Sequence, residues 1–129
     1  MKKLLILLFS ILISFNSFGE WKIVAHGTDE SANNVGDDFY IEKDTLKKHG
    51  GYIYFWQLSD YLVPSAGYMS VKSYRQGDCE LNRIKTLNYI FYHQSMGKGG
   101  SENIPDSNAE WIYVTPDSIN YLMLSYACD

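Results

Sequence analysis

The segment that most constrains this chain is residues 52–61, Tyr-Ile-Tyr-Phe-Trp-Gln-Leu-Ser-Asp-Tyr. Aromatic and β-branched residues favour a strand, and successive side chains of a strand point to opposite faces. Tyr52, Tyr54, Trp56 and Leu58 therefore share one face, and Ile53, Phe55, Gln57 and Ser59 share the other. Both faces begin apolar, as in a strand at the centre of a sheet with something packed on each side. The chain must supply neighbouring strands and two covers.

Neighbouring strands are predicted at residues 21–25, 39–42, 68–75, 82–93 and 111–114, which brings the sheet to about six strands. In residues 82–93, Ile84, Thr86, Asn88, Ile90 and Tyr92 are expected to alternate with Lys85, Leu87, Tyr89, Phe91 and His93. Residues 28–38 and 94–110 are rich in Gly, Ser, Asn and Asp and read as loops. Lys43-Asp44-Thr45-Leu46-Lys47 holds one tight or helical turn, and Gly50-Gly51 supplies a turn with unusual backbone angles. The connections are short, so the sheet is expected to be mainly antiparallel.

One helix is predicted, at the C-terminus. Thr115 is placed to cap it, Pro116 fits its first position, and Asp117 suits the positive end of its dipole. Ile119, Leu122, Met123, Tyr126 and Ala127 recur at helical spacing and need a surface to pack on. Cys128 lies at the end of that face, and Cys79 is the only other cysteine. Two cysteines in an exported protein most often pair, so a Cys79–Cys128 disulfide is expected to tie the helix to the middle of the chain. The fold class is α+β: a single mainly antiparallel sheet with a C-terminal helix packed on one face and tethered by a disulfide. One helix covers part of one face, and a homodimer would cover aromatic residues on the other.

Export is read from the N-terminus. Met1-Lys2-Lys3 is basic, residues 4–13 are almost wholly apolar, and Ser17 and Gly19 stand at −3 and −1 of a cut before Glu20. This is the pattern of a secretory signal peptide, residues 1–19, followed by one domain, residues 20–129. No cysteine follows the apolar run, so no lipid anchor is expected, and the mature chain shows no transmembrane segment. The formal net charge is −4 and becomes two units more negative without Lys2 and Lys3. Nucleic acid and anionic lipid both need clustered cations and are not expected as partners.

No catalytic constellation is present. His26, His49 and His93 are scattered, no Gly-x-Ser-x-Gly occurs, and Asp29-Glu30 and Asp37-Asp38 lack the ligand spacing of a calcium loop. Met96-Gly97-Lys98-Gly99 departs from a phosphate-binding loop, because Tyr92 stands where its first glycine should be and Gly99 replaces the Ser or Thr after the lysine. No enzyme, metal or cofactor is called for. The tyrosines carry the functional signal: there are 11, and Tyr52, Tyr54, Tyr61, Tyr68, Tyr74, Tyr89 and Tyr92 are among those in or beside predicted strands. Tyrosine buries ring area while keeping a polar tip, a combination enriched in binding surfaces. The candidate surface is Tyr52, Tyr54 and Trp56, with Met96 and Lys98 of the following loop.

The ordered set of residues resembles the bacterial surface-adhesin protein E family. It comprises Trp21, Tyr40-Ile41-Glu42, Asp44, Leu46, Gly50-Gly51-Tyr52, Trp56, Asp60-Tyr61 and Ser73, then Asp78-Cys79, Arg83, Tyr92, Met96-Gly97-Lys98-Gly99, Trp111, Tyr113-Val114, Pro116, Ser118 and Cys128. The resemblance implies about six antiparallel strands with a disulfide-tethered helix on the concave face. It also implies a dimer, and binding of host extracellular-matrix or plasma proteins by a non-enzymatic protein. The expectation is a protein exported through the Sec pathway to the cell surface or periplasm. The competing readings are a periplasmic protein that binds, inhibits or helps assemble another envelope protein, and a haem or small-molecule binder using tyrosine and His93.

Overall fold

The computed structural model describes residues 20–27 and 36–129; the predicted signal peptide and residues 28–35 of the predicted polar loop lie outside the described residues. The strands are β1 (Trp21–His26), β2 (Asp37–Glu42), β3 (Lys47–His49), β4 (Tyr52–Ser65), β5 (Tyr68–Asp78), β6 (Arg83–Gln94), β7 (Lys98–Pro105) and β8 (Ile112–Tyr113). All pair antiparallel in the order β1-β2-β4-β5-β6-β7, with β3 on the β2 side of β4 and β8 on the β7 side of β6. β4 is central, as its two apolar faces require. Helix α1 (Ile119–Cys128) closes the chain and packs against β1, β4 and β5.

Eight strands replace the expected six, and the two additions have different origins. β3 exists because Gly50 and Gly51 adopt φ of +60° and +82°, which folds Lys47–His49 back onto β4 as a tight hairpin. β7 lies in the expected 94–110 loop. Its Gly99-Gly100-Ser101 has no strand propensity, but the outer edge of β6 holds it in register from Gln94↔Lys98 to Asn88↔Pro105. β2 likewise begins at Asp37, two residues earlier than expected.

β6 does not alternate strictly. Tyr74 pairs with Asn88 and Arg75 with Thr86, leaving Leu87 as an extra residue. This bulge moves the pattern by one place. Ile84 and Thr86 therefore share a face with Tyr89 and Phe91, while Lys85 shares the opposite face with Asn88, Ile90 and Tyr92.

The core lies between α1 and one face of the sheet. Ala25, Ile41, Ile53, Phe55 and Ile84 from the strands meet Met123 and Ala127 from the helix. Leu124 is buried as well, whereas Leu122 is 42% exposed, so the helix is rotated from the orientation the sequence predicts. Its start also differs. Ser118 caps the helix by accepting from the Tyr121 amide at 3.1 Å, and Thr115 and Pro116 belong to a preceding turn in which Asp117 takes φ of +66°. The Thr115 carbonyl accepts from the Ser118 amide and hydroxyl, so this turn aims the cap. Burying a side chain of the size of Met123 or Phe55 contributes about 1.5–3 kcal/mol.

Close helix approach depends on Gly77. A Cβ there would stand 2.6 Å from Leu124 Cδ1 and 2.9 Å from Ile53 Cγ2. The helix has 10 residues, a length at which helices are marginal on their own in water. Its far end is fixed by the Cys79–Cys128 disulfide, which closes a separation of 49 residues. No helix among the described residues is long and apolar enough to cross a membrane.

A loop of that length restricts the unfolded chain enough to stabilise the fold by about 4 kcal/mol. The Cys79→Ser/Cys128→Ser variant is expected to unfold at a clearly lower urea concentration than the oxidised protein. Equal midpoints would show that helix packing alone secures the C-terminus.

Candidate binding surface

Tyr52, Tyr54 and Trp56 stand side by side on the face of β4 turned away from α1, each half-buried. The neighbouring strands add rings to the same face. Tyr74 on β5 packs against Trp56 at 4.8 Å and Tyr54 at 6.2 Å between centroids, and Trp111 packs against Tyr52 at 5.4 Å. These separations fall within the range at which tilted or offset aromatic pairs attract.

Cations lie over the rings. Arg83 and Lys85 stand 4.4 and 4.6 Å from the Trp111 centroid, and Lys72 stands 5.5 Å from Trp21 and 5.2 Å from Tyr92. A cation over an aromatic face is held by the ring quadrupole while its outer side remains hydrated. Arg83 Nε also donates to Asp78 Oδ2 at 2.9 Å, so one guanidinium joins the end of β5 to Trp111.

Met96 and Lys98 are placed differently from each other. Residues 95–97 form a turn folded onto the aromatic face beyond Trp56. The Met96 amide donates to the buried Asp60 carboxylate at 2.9 Å, and the Gly97 amide donates to Ser70 Oγ at 2.9 Å. Ser70 Oγ in turn donates to the Gln94 carbonyl at 2.7 Å. Gly97 is needed here, with φ of +68° and Lys72 Cε within 2.7 Å of where a Cβ would sit. Met96 is thus half-buried in a fixed turn over Leu58, while Lys98 is exposed at the start of the edge strand β7.

Tyr74, Trp111, Lys72, Arg83 and Lys85 complete this face, and the sequence reading does not select them. Tyr74 and Lys72 alternate along β5 in phase with the β4 aromatics, a signal available once register is known. Trp111 reaches Tyr52 only through the pairing of β8 with β6. The histidines stay apart: His26 pairs with Asp38, His49 ends the short β3, and His93 stacks on Tyr68 at 4.9 Å. Among the described residues no group of three His, Cys, Asp or Glu side chains is placed to hold a metal.

The helix face contains a polar junction. Arg75 is buried, and its Nη1 donates to Gln57 Oε1 at 2.8 Å and Asn120 Oδ1 at 2.9 Å. Both acceptors are neutral, and burial pulls the guanidinium down from its usual value to about 10. The junction ties the first turn of α1 to β4 and β5.

Asp78 titrates below its usual value, chiefly because of the Arg83 hydrogen bond and additionally because the Leu81 and Glu80 amides donate to it. Stability from this pairing is fully present above the ordinary carboxylate range and is lost as the pH falls through the depressed value. In the Arg83→Met variant the Asp78 titration, followed by carboxyl NMR, is expected to move up, and acid unfolding to begin at higher pH. An unmoved Asp78 titration would contradict this assignment.

A family model described as surface-adhesin protein E matches residues 21–129. The fold is similar to that of Haemophilus influenzae protein E. Crystal form II of that protein superposes with a TM-score of 0.60 at 16% identity, over 86% of this chain and 91% of that one. A further structure of the same protein superposes with a TM-score of 0.57 at 18% identity, over 84% and 92% of the two chains. No match is found among curated protein sequences. Identities this low carry the fold, and the family match carries the kinship.

Proposed function

The chain belongs to the surface-adhesin protein E family, and on that premise we propose that it is an exported surface adhesin that binds host extracellular-matrix or plasma proteins through the sheet face bearing Tyr52, Tyr54 and Trp56. Family membership supports adhesion and a place at the cell surface. The observation that carries the choice of face is the asymmetry of the sheet. One face carries α1 and the Arg75 junction over β1, β4 and β5, with Tyr89 and Phe91 stacked beside them on β6, while the other joins stacked rings to cations above them and is folded over at its Leu58 end by residues 95–97. Tyrosine and tryptophan on a stiff strand offer large contact area at little conformational cost, the usual make-up of binding hot spots. The protein acts by recognition and catalyses nothing in this reading. A homodimer expected from the aromatic content would use the same face, so host ligand and second copy compete for it.

Tyr52→Ala, Tyr54→Ala and Trp56→Ala are each expected to weaken binding to immobilised matrix or plasma protein by about 1–2 kcal/mol. Leu122→Ser, on the exposed side of α1, is expected to leave binding unchanged. Equal binding by all three aromatic variants, with folding intact, would remove this face from consideration.

A further inference from the structure

The aromatic face contains a row that points to a chemical class of ligand. Lys47 pairs with Tyr54, Tyr54 with Gln76, and Gln76 with Lys85, so one cross-strand line over β3, β4, β5 and β6 reads Lys-Tyr-Gln-Lys. Directly opposed residues share a face. Three inter-strand steps of roughly 4.8 Å put the two lysine Cα atoms about 14 Å apart. Between them lie a ring and a side-chain amide, and Trp111 adjoins the Lys85 end.

Neither lysine forms an ion pair with a carboxylate among the described residues. The carboxylate in this block of the sheet, Asp78, is already bound by Arg83 and two backbone amides. Lys47 is exposed and Lys85 half-exposed, in a chain whose formal net charge is −4. Two cations without a carboxylate partner, Lys85 resting over Trp111, therefore flank half-buried Tyr54 and buried Gln76, a local feature opposite in sign to the protein as a whole.

We infer that this row binds an acidic glycan, a chain of sugar rings bearing carboxylate or sulfate groups. The lysines supply charge-assisted hydrogen bonds to the anions. The negative face of Tyr54 meets the positively polarised C–H edges of a sugar ring, while Trp111 holds Lys85 in place at the end of the row. Two cations at the ends of one row suit a ring polymer with repeated anions better than an apolar peptide. This inference rests on the proposed adhesin reading and names the host component that the sheet face contacts first.

The test is titration of the full chain with a heparin-derived tetrasaccharide, a hyaluronan tetrasaccharide and neutral maltotetraose, read by tryptophan fluorescence and calorimetry. One or both acidic sugars are expected to bind, more weakly as salt is raised, and maltotetraose is expected not to bind. Binding of heparin alone assigns the row to sulfate, and binding of both assigns it to either anion. Lys47→Ala/Lys85→Ala is expected to lose at least about tenfold in affinity, a loss equal to one unit of log K, while Lys47→Arg/Lys85→Arg retains binding. No binding of either acidic sugar, equal binding of maltotetraose, or full binding by the double alanine variant overturns the inference. Enzymatically deglycosylated matrix protein separates the two readings. If the protein still binds it while the acidic sugars fail, the adhesin reading stands and the glycan inference falls.

Discussion

β4 carries large side chains on both of its faces, and the rest of the molecule is arranged around satisfying them. Phe55 and Ile53 on one side need a hydrophobic layer, and the chain builds it with a helix too short to persist unaided. Three devices hold that helix in place. Gly77 lets it approach the backbone, Arg75 joins its first turn to Gln57, and Cys128 fixes its last residue to Cys79. Each compensates for a different weakness: poor fit, an unanchored start and a fraying end.

The other face of β4 is solved by different chemistry. Tyr54, Trp56 and Tyr74 pack against one another, and Lys72, Arg83 and Lys85 lie on the outer rings. Each of these rings is half-buried by its neighbours, and each cation stays partly exposed. The arrangement leaves a rigid, polar-tipped surface ready for a partner. In the proposed function, stability and recognition are divided between the two faces of a single sheet.

The sequence made the faces of β4 legible because a period of two survives any error in strand ends. Tyr52, Tyr54 and Trp56 could be grouped, and Cys79 and Cys128 paired, without coordinates. Features that depend on partners were less visible. β7 is strand only because β6 offers it an edge, since Gly99 and Gly100 give no local signal. The Leu87 bulge decides which face Lys85 occupies, yet nothing in Thr86-Leu87-Asn88 announces it. Thr115 and Ser118 are both good caps, and the tertiary turn through Asp117 selects the second. Trp111 joins Tyr52 through β8, a two-residue pairing below the resolution of any periodicity. The ring cluster on this face therefore extends beyond the three β4 residues that the sequence groups, to Tyr74 and Trp111.

The central claim is that the two faces have separate duties, and it is tested most directly by NMR with labelled tyrosine, tryptophan and methionine while a soluble extracellular-matrix protein is added. The account predicts that ring signals of Tyr54, Trp56 and Trp111 shift or broaden while the Met123 methyl, buried under α1, stays unchanged. Perturbation of Met123 with silent sheet-face rings would contradict it and place recognition on the helix side.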